Sequence, residues 1–247
     1  MAGPVTDSIV QVGDIATQVA SEALPVGDAL LSSSTLNNLS PPLQIAFFLG
    51  SFVFLTAILV SVTSFTRIVI VLSFVRRALT TQEIPPNPSL IGFALFMTMF
   101  TMGPVIDAIQ ERAVTPVIDG KILPMQGVQA ATQELHKFML KHTRRHDLAM
   151  FIALSKTSVP ESAEATPTRV LVPAFMISEL KTAFIMGFCI YVPFILIDLL
   201  VSTVLMSLGM MMMPPVVVSA PIKLLLFVLV DGWHLIARSI GSSFLGG

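Results

Sequence analysis

Two groups of residues in this chain carry chemistry that their surroundings do not explain. Glu179, Lys181, Asp198, Lys223 and Asp231 lie within long apolar runs, where a charged side chain is costly unless paired or hydrated. Groups so placed either relay protons or hold helices and subunits together. Glu179 and Lys181 are two residues apart, so a helix points them to different faces and each needs a partner in another helix or another copy of the chain. The candidate pairs join Glu179 or Asp198 to Arg67, Lys181 or Lys223, and structural pairs between subunits are favoured over a proton relay. The second group is Gly209-Met210-Met211-Met212-Met213-Pro214-Pro215, in a stretch with no charge between Asp198 and Lys223. Each proline lacks an N–H and restricts the residue before it, so the chain must turn here. It does so without the Asn, Asp or Ser usual in turns. Irregular backbone at membrane depth is tolerated only where protein buries it or a watery cavity borders it, and methionine is soft enough to fill gaps of changing shape. Repeated around a symmetry axis, such a turn would form a compressible apolar plug, a gate-like feature. The alternative is a tightly packed helix–helix connection.

Other chemistry finds little support. His142 and His146 are four apart, as metal ligands on one helix face are, but Lys141, Arg144 and Arg145 surround them and only Asp147 offers a nearby ligand. A solvated basic face is expected there, and no metal. There is no phosphate-cradling glycine loop, no nucleophile elbow and no carboxylate pair in a polar setting. No catalytic residue and no cofactor are therefore expected. The single cysteine, Cys189, lies in an apolar run and reads as a packing residue.

The elements that position these residues follow from composition. Charged residues make up 12% of the chain and hydrophobic ones 54%, against roughly 25% charged in soluble domains, and mean hydropathy is +0.84. This identifies an all-α integral membrane protein. A net charge of −1 with scattered basic residues gives no footprint for nucleic acid. Residues 1–40 read as a polar, acidic N-terminal tail. No Lys or Arg precedes Arg67 and no compact apolar segment occupies the first stretch, so no signal peptide of the usual kind is expected. Residues 41–106 form a first apolar helical hairpin. Its opening run is too long for one crossing of about 20 residues, which predicts a span over Leu43–Ser64 and an extension over Thr66–Leu79.

Residues 107–169 form a polar, mainly helical insertion with most of the basic residues and three of the four histidines. Within it Val128 to Leu154 reads as one amphipathic helix, with Leu135, Phe138, Met139 and His142 near one face. Ser155 to Thr168 reads as a loop. Residues 170–240 form the second apolar hairpin, with the methionine turn at its tip, and residues 241–247 a frayed tail. The architecture is thus two apolar hairpins, about four long helices, joined by a polar insertion. Arg67, Arg76 and Arg77 favour a cytoplasmic first loop, which makes the N-terminus, the insertion and the C-terminus extracytoplasmic.

Three stretches together resemble one family. They are Arg67-Ile68-Val69-Ile70-Val71-Leu72-Ser73-Phe74-Val75-Arg76, Val172-Pro173-Ala174-Phe175-Met176-Ile177-Ser178-Glu179-Leu180-Lys181-Thr182-Ala183-Phe184, and Leu208-Gly209 through Pro214-Pro215. Over about residues 43–240 the chain is similar to the FliP family, the flagellar type III export-gate proteins, whose injectisome relatives are called SctR. The resemblance implies a homopentamer assembled with FliQ and FliR, with FlhB at its base, in the bacterial inner membrane and flagellar basal body. It implies tilted hairpins raised above the bilayer plane and a central channel for unfolded flagellar cargo. It also implies that Met210, Met211, Met212 and Met213 form the gasket that closes that channel, shaped by Gly209, Pro214 and Pro215. An injectisome gate is the nearest alternative. A small-solute transporter coupled through the buried charges would show internal repeats and half-helices aimed at a midplane site, and the two hairpins lack convincing internal similarity.

Overall fold

The computed structural model describes residues 40–79, 85–155, 162–210 and 212–245. The predicted tail up to residue 39, Met211, most of the Ser155–Thr168 loop, and Gly246 and Gly247 lie outside the described residues. The chain divides into two compact units, Met1–Ala57 and Ile58–Gly247. No strand occurs among the described residues.

The first helix, α1 (Pro41–Val62), has no charged residue in its 22 positions. It ends at Thr63-Ser64, close to the predicted division, and α2 (Phe65–Ala78) follows. Hydroxyls satisfy the interrupted backbone, as an apolar setting demands. Thr66 Oγ1 donates to the Val60 carbonyl at 3.0 Å, and the buried Ser64 hydroxyl pairs with Thr101 Oγ1 at 2.7 Å.

A third helix, α3 (Asn87–Ile109), contains Pro104. It does not stop at the predicted hairpin boundary after Ile106. A π-helical turn (Gln110–Val114) and α4 (Thr115–Ile118) prolong it to 32 residues, because nothing between Asp107 and Ile118 breaks a helix except Pro116, which sits in the first turn of α4 where it is tolerated. The predicted amphipathic helix is two helices, α5 (Pro124–His142) and α6 (Arg145–Leu154).

The longest helix, α7 (Thr168–Ser207), has 40 residues with Pro173 and Pro193 inside. At 1.5 Å per residue it runs about 60 Å, roughly twice a bilayer's hydrocarbon thickness. After the methionine turn come α8 (Pro215–Leu229) and α9 (Gly232–Leu245), bent by 63° where one apolar run was expected. Asp231 at the bend has φ 51°, and Gly232 lies so close to the Phe227 ring that a Cβ would meet Cε2 at 2.2 Å. The predicted frayed tail is corrected as far as Leu245: it is helical, and Ile240, Gly241 and Phe244 are buried. Small and apolar residues there were legible as weak structure only because their partners are distant in sequence.

The core of the second unit forms where α2 lies along α7. Ile68, Val71, Leu72 and Val75 recur at helical spacing on α2 and are fully buried with Leu171, Ala174, Phe175 and Ala183 of α7. Three helices are long and apolar enough to cross a membrane, Pro41–Val62, Asn87–Ile118 and Thr168–Ser207, with a fourth if α8 and α9 form one bent span. The protein is an all-α membrane protein.

Candidate functional site

The methionine turn grows from the end of α7. Gly209 takes the left-handed conformation at φ 76°. Around it Gly209 N–H donates to the Met206 carbonyl and Met210 N–H to the Leu205 carbonyl, each at 3.1 Å, the paired bonds that cap a helix with a left-handed residue. Pro214 and Pro215 then start α8, where a missing N–H costs nothing. Between these two stops the chain presents Met212 with 99% of its surface exposed, flanked by Met210 and Met213 at 43% and 42%. An unbranched apolar side chain with no contact inside its own chain is the geometry of a surface awaiting another molecule.

Below the turn, a polar clasp joins the two arms of the hairpin. Lys223 Nζ of α8 donates to Asp198 Oδ2 of α7 at 2.5 Å, and Ser219, one turn earlier on α8, donates to Asp198 Oδ1 at 2.7 Å. Lys223 and Ser219 are buried while Asp198 keeps some access to solvent. Ser219 carried no signal in the sequence, since its role exists only once α8 folds back on α7.

Arg67 and Glu179 meet between α2 and α7. Arg67 Nε donates to Glu179 Oε2 at 2.7 Å, and a second N–H of the same guanidinium reaches Glu179 Oε1, so the pair is bidentate. The remaining nitrogen donates to Ser243 Oγ at 3.0 Å, and the guanidinium carbon lies 3.8 Å from the centroid of the Phe244 ring, a cation–π contact. One buried cation therefore ties α2, α7 and the C-terminal helix α9 together. The expectation that these charges pair between subunits is corrected: Arg67–Glu179 and Lys223–Asp198 are both pairs within one chain. Lys181 faces outward from α7 and makes no ion pair among the described residues, and Asp231 is exposed at the α8–α9 bend.

The corner between α5 and α6 is held by Ser178 of α7. Its hydroxyl accepts from Arg144 N–H at 3.0 Å and donates to the His142 carbonyl at 3.3 Å, while Arg144 Nη2 donates to Thr182 Oγ1 at 3.1 Å. This is why the predicted single helix breaks: its backbone groups at 142 and 144 are claimed by another helix. His142 packs on Phe138 and Phe244, and His146 is exposed beside Asp147. Among the described residues no group of three or more potential ligands gathers to hold a metal.

Burial, then the charges of Arg67 and Lys141, push His142 down from 6.5 to about 4. The unfolded chain therefore takes up a proton that the folded chain refuses in this window, and stability falls as pH drops from about 6.5 towards 4. Thermal unfolding in detergent is expected to show a steeper loss over that range in the wild type than in His142→Gln. Parallel curves for the two would refute it.

The sequence brought Arg67, Glu179, Asp198 and Lys223 forward correctly as paired groups, but it missed Ser178, Ser219, Ser243 and Phe244, which complete the same clusters. A model of the FliP family matches residues 48–240. The flagellar biosynthetic protein FliP of Bacillus subtilis is 51% identical over 215 residues, covering 87% of this chain and 97% of that protein. The protein of the same name from Pectobacterium carotovorum is 48% identical over 201 residues, 81% of this chain and 78% of that one. That of Aquifex aeolicus is 39% identical over 247 residues, covering 99% of this chain and 100% of its own length. By this match and these relatives, the chain belongs to the FliP family of flagellar biosynthetic proteins.

Proposed function

We propose that the chain is a core subunit of the flagellar type III export gate in the bacterial cytoplasmic membrane. In this reading copies of the chain form a homopentameric ring that assembles with FliQ and FliR, with FlhB at its base, and unfolded flagellar subunits pass through the central channel. Met210, Met211, Met212 and Met213 of each copy meet on the axis and seal it, as a hydrophobic constriction does. The observation that carries the reading is the turn itself: a charge-free apolar hairpin tip, fixed by Gly209 and the two prolines, with Met212 wholly exposed. The relatives bear flagellar names, which favours a flagellar over an injectisome gate. The pairing of Arg67 with Glu179 and of Lys223 with Asp198 leaves those four charges neutralised within the chain, which counts against a transporter that uses them for coupling.

Native mass spectrometry of the detergent-extracted chain, alone and co-expressed with its neighbouring export proteins, tests the proposal. A five-fold oligomer that gains FliQ- and FliR-like subunits is expected. A stable monomer or dimer that recruits neither would remove the ring and the gasket with it.

A further inference from the structure

The methionine turn has a chemical property beyond its shape. A thioether is oxidised at a rate set by its access to the oxidant, and the resulting sulfoxide is polar and chiral where the thioether was apolar. Among the described methionines Met212 has the greatest exposure by a wide margin. Met102 and Met139 are buried in the core, and Met99 and Met206 lie on faces of the long apolar helices, which lipid covers in a membrane. Met125, at the start of α5, is the other well-exposed methionine outside the candidate spans. The rigid frame around Met212 also matters. Gly209 and Pro214-Pro215 hold the tip in place, so the side chain cannot retreat into a core.

We propose that Met212 is a reversible sulfoxidation site and that its oxidation by peroxide loosens the closed turn. This consequence, though not the site itself, rests on the gasket reading above. In the reaction the sulfur lone pair attacks one peroxide oxygen. The S–O bond forms as the O–O bond breaks, and the departing hydroxide takes the remaining proton as water. Sulfur loses two electrons and peroxide gains them. A thiol-dependent methionine sulfoxide reductase reverses the change, oxidising two thiols to a disulfide and releasing water. The sulfoxide oxygen is a strong hydrogen-bond acceptor, so it draws water into a constriction whose closure depends on excluding it.

The test uses the assembled complex in sealed vesicles, exposed to limiting hydrogen peroxide. Peptide mapping is expected to find Met212 oxidised about tenfold faster than Met139. Equal rates would overturn the site assignment, whatever the turn does. Peroxide is also expected to raise ion leak in the wild type, to lose most of that effect in Met212→Leu, and to be reversed by methionine sulfoxide reductase with dithiothreitol. Oxidised Met212 with no added leak, in a complex that does leak when the four methionines are replaced by glycine, would overturn the loosening while sparing the gasket. If the glycine complex is tight as well, the gasket reading fails and takes the loosening with it.

Discussion

Glu179→Ala is expected to destabilise the folded chain by about 3–5 kcal/mol, because it leaves the Arg67 guanidinium buried without its bidentate partner. Against a net stability that is on the order of 5–15 kcal/mol in ordinary domains, this is a large fraction. Arg67 cannot escape to solvent: α2, α7 and α9 enclose it, Ser243 holds one nitrogen and Phe244 covers its face. The expected signature is a large drop in the unfolding temperature in detergent, with α9 losing hydrogen-exchange protection before the α2–α7 core does. The double variant Arg67→Met/Glu179→Leu, which removes both charges and keeps volume, should recover most of the loss, since the penalty arises from the orphaned charge rather than from the missing attraction. Lys223→Met should cost much less, because the Asp198 carboxylate it abandons retains access to water and the Ser219 hydroxyl. A Glu179→Ala chain that assembles and melts like the wild type, with transport alone lost, would mean that Glu179 acts in transport and not in holding the helices.

Replacing Met210, Met211, Met212 and Met213 together by glycine is expected to leave the assembly intact and to raise the passive ion permeability of the membrane at least about tenfold. The reasoning rests on where the stabilising contacts lie. The hairpin is clasped at Asp198, Ser219 and Lys223, and the chain's core lies along α2 and α7, while the described methionines of the turn are exposed. Deleting their side chains therefore removes little that holds the fold, and removes the bulk proposed to fill the axis. Native mass spectrometry checks the assembly, and potassium efflux from vesicles or intact cells checks the leak. A complete complex in a tight membrane would end the gasket proposal.

What could be read before folding depended on local rules. The apolar runs, the proline pairs and the position of Gly209 each act over a few residues, so the long helices and the methionine turn were legible. The division of the first apolar run near Ser64 was legible too, because its length exceeded a single crossing. By contrast, the unbroken helix from Val128 to Leu154 was a fair reading of its periodicity and was wrong. The break at Thr143-Arg144 is imposed by Ser178, more than thirty residues away. The C-terminal segment misled for the same reason: Gly241-Ser242-Ser243 is a poor helix by propensity, yet Ile240 and Phe244 gain a core from α2 and α5 that outweighs it.

The sequence by itself determined the class of this protein, the location of its turn and which charges needed partners, since burial cost and backbone stereochemistry belong to residues and their neighbours. Only the tertiary structure decided who those partners are. Arg67 reaches across 112 residues to Glu179 and across 176 to Ser243, and Asp198 selects Lys223 rather than Lys181. An apolar environment makes an ion pair obligatory but is indifferent to which cation supplies it; the packing of α2, α7, α8 and α9 brings one pair of groups within hydrogen-bond reach and leaves the others apart.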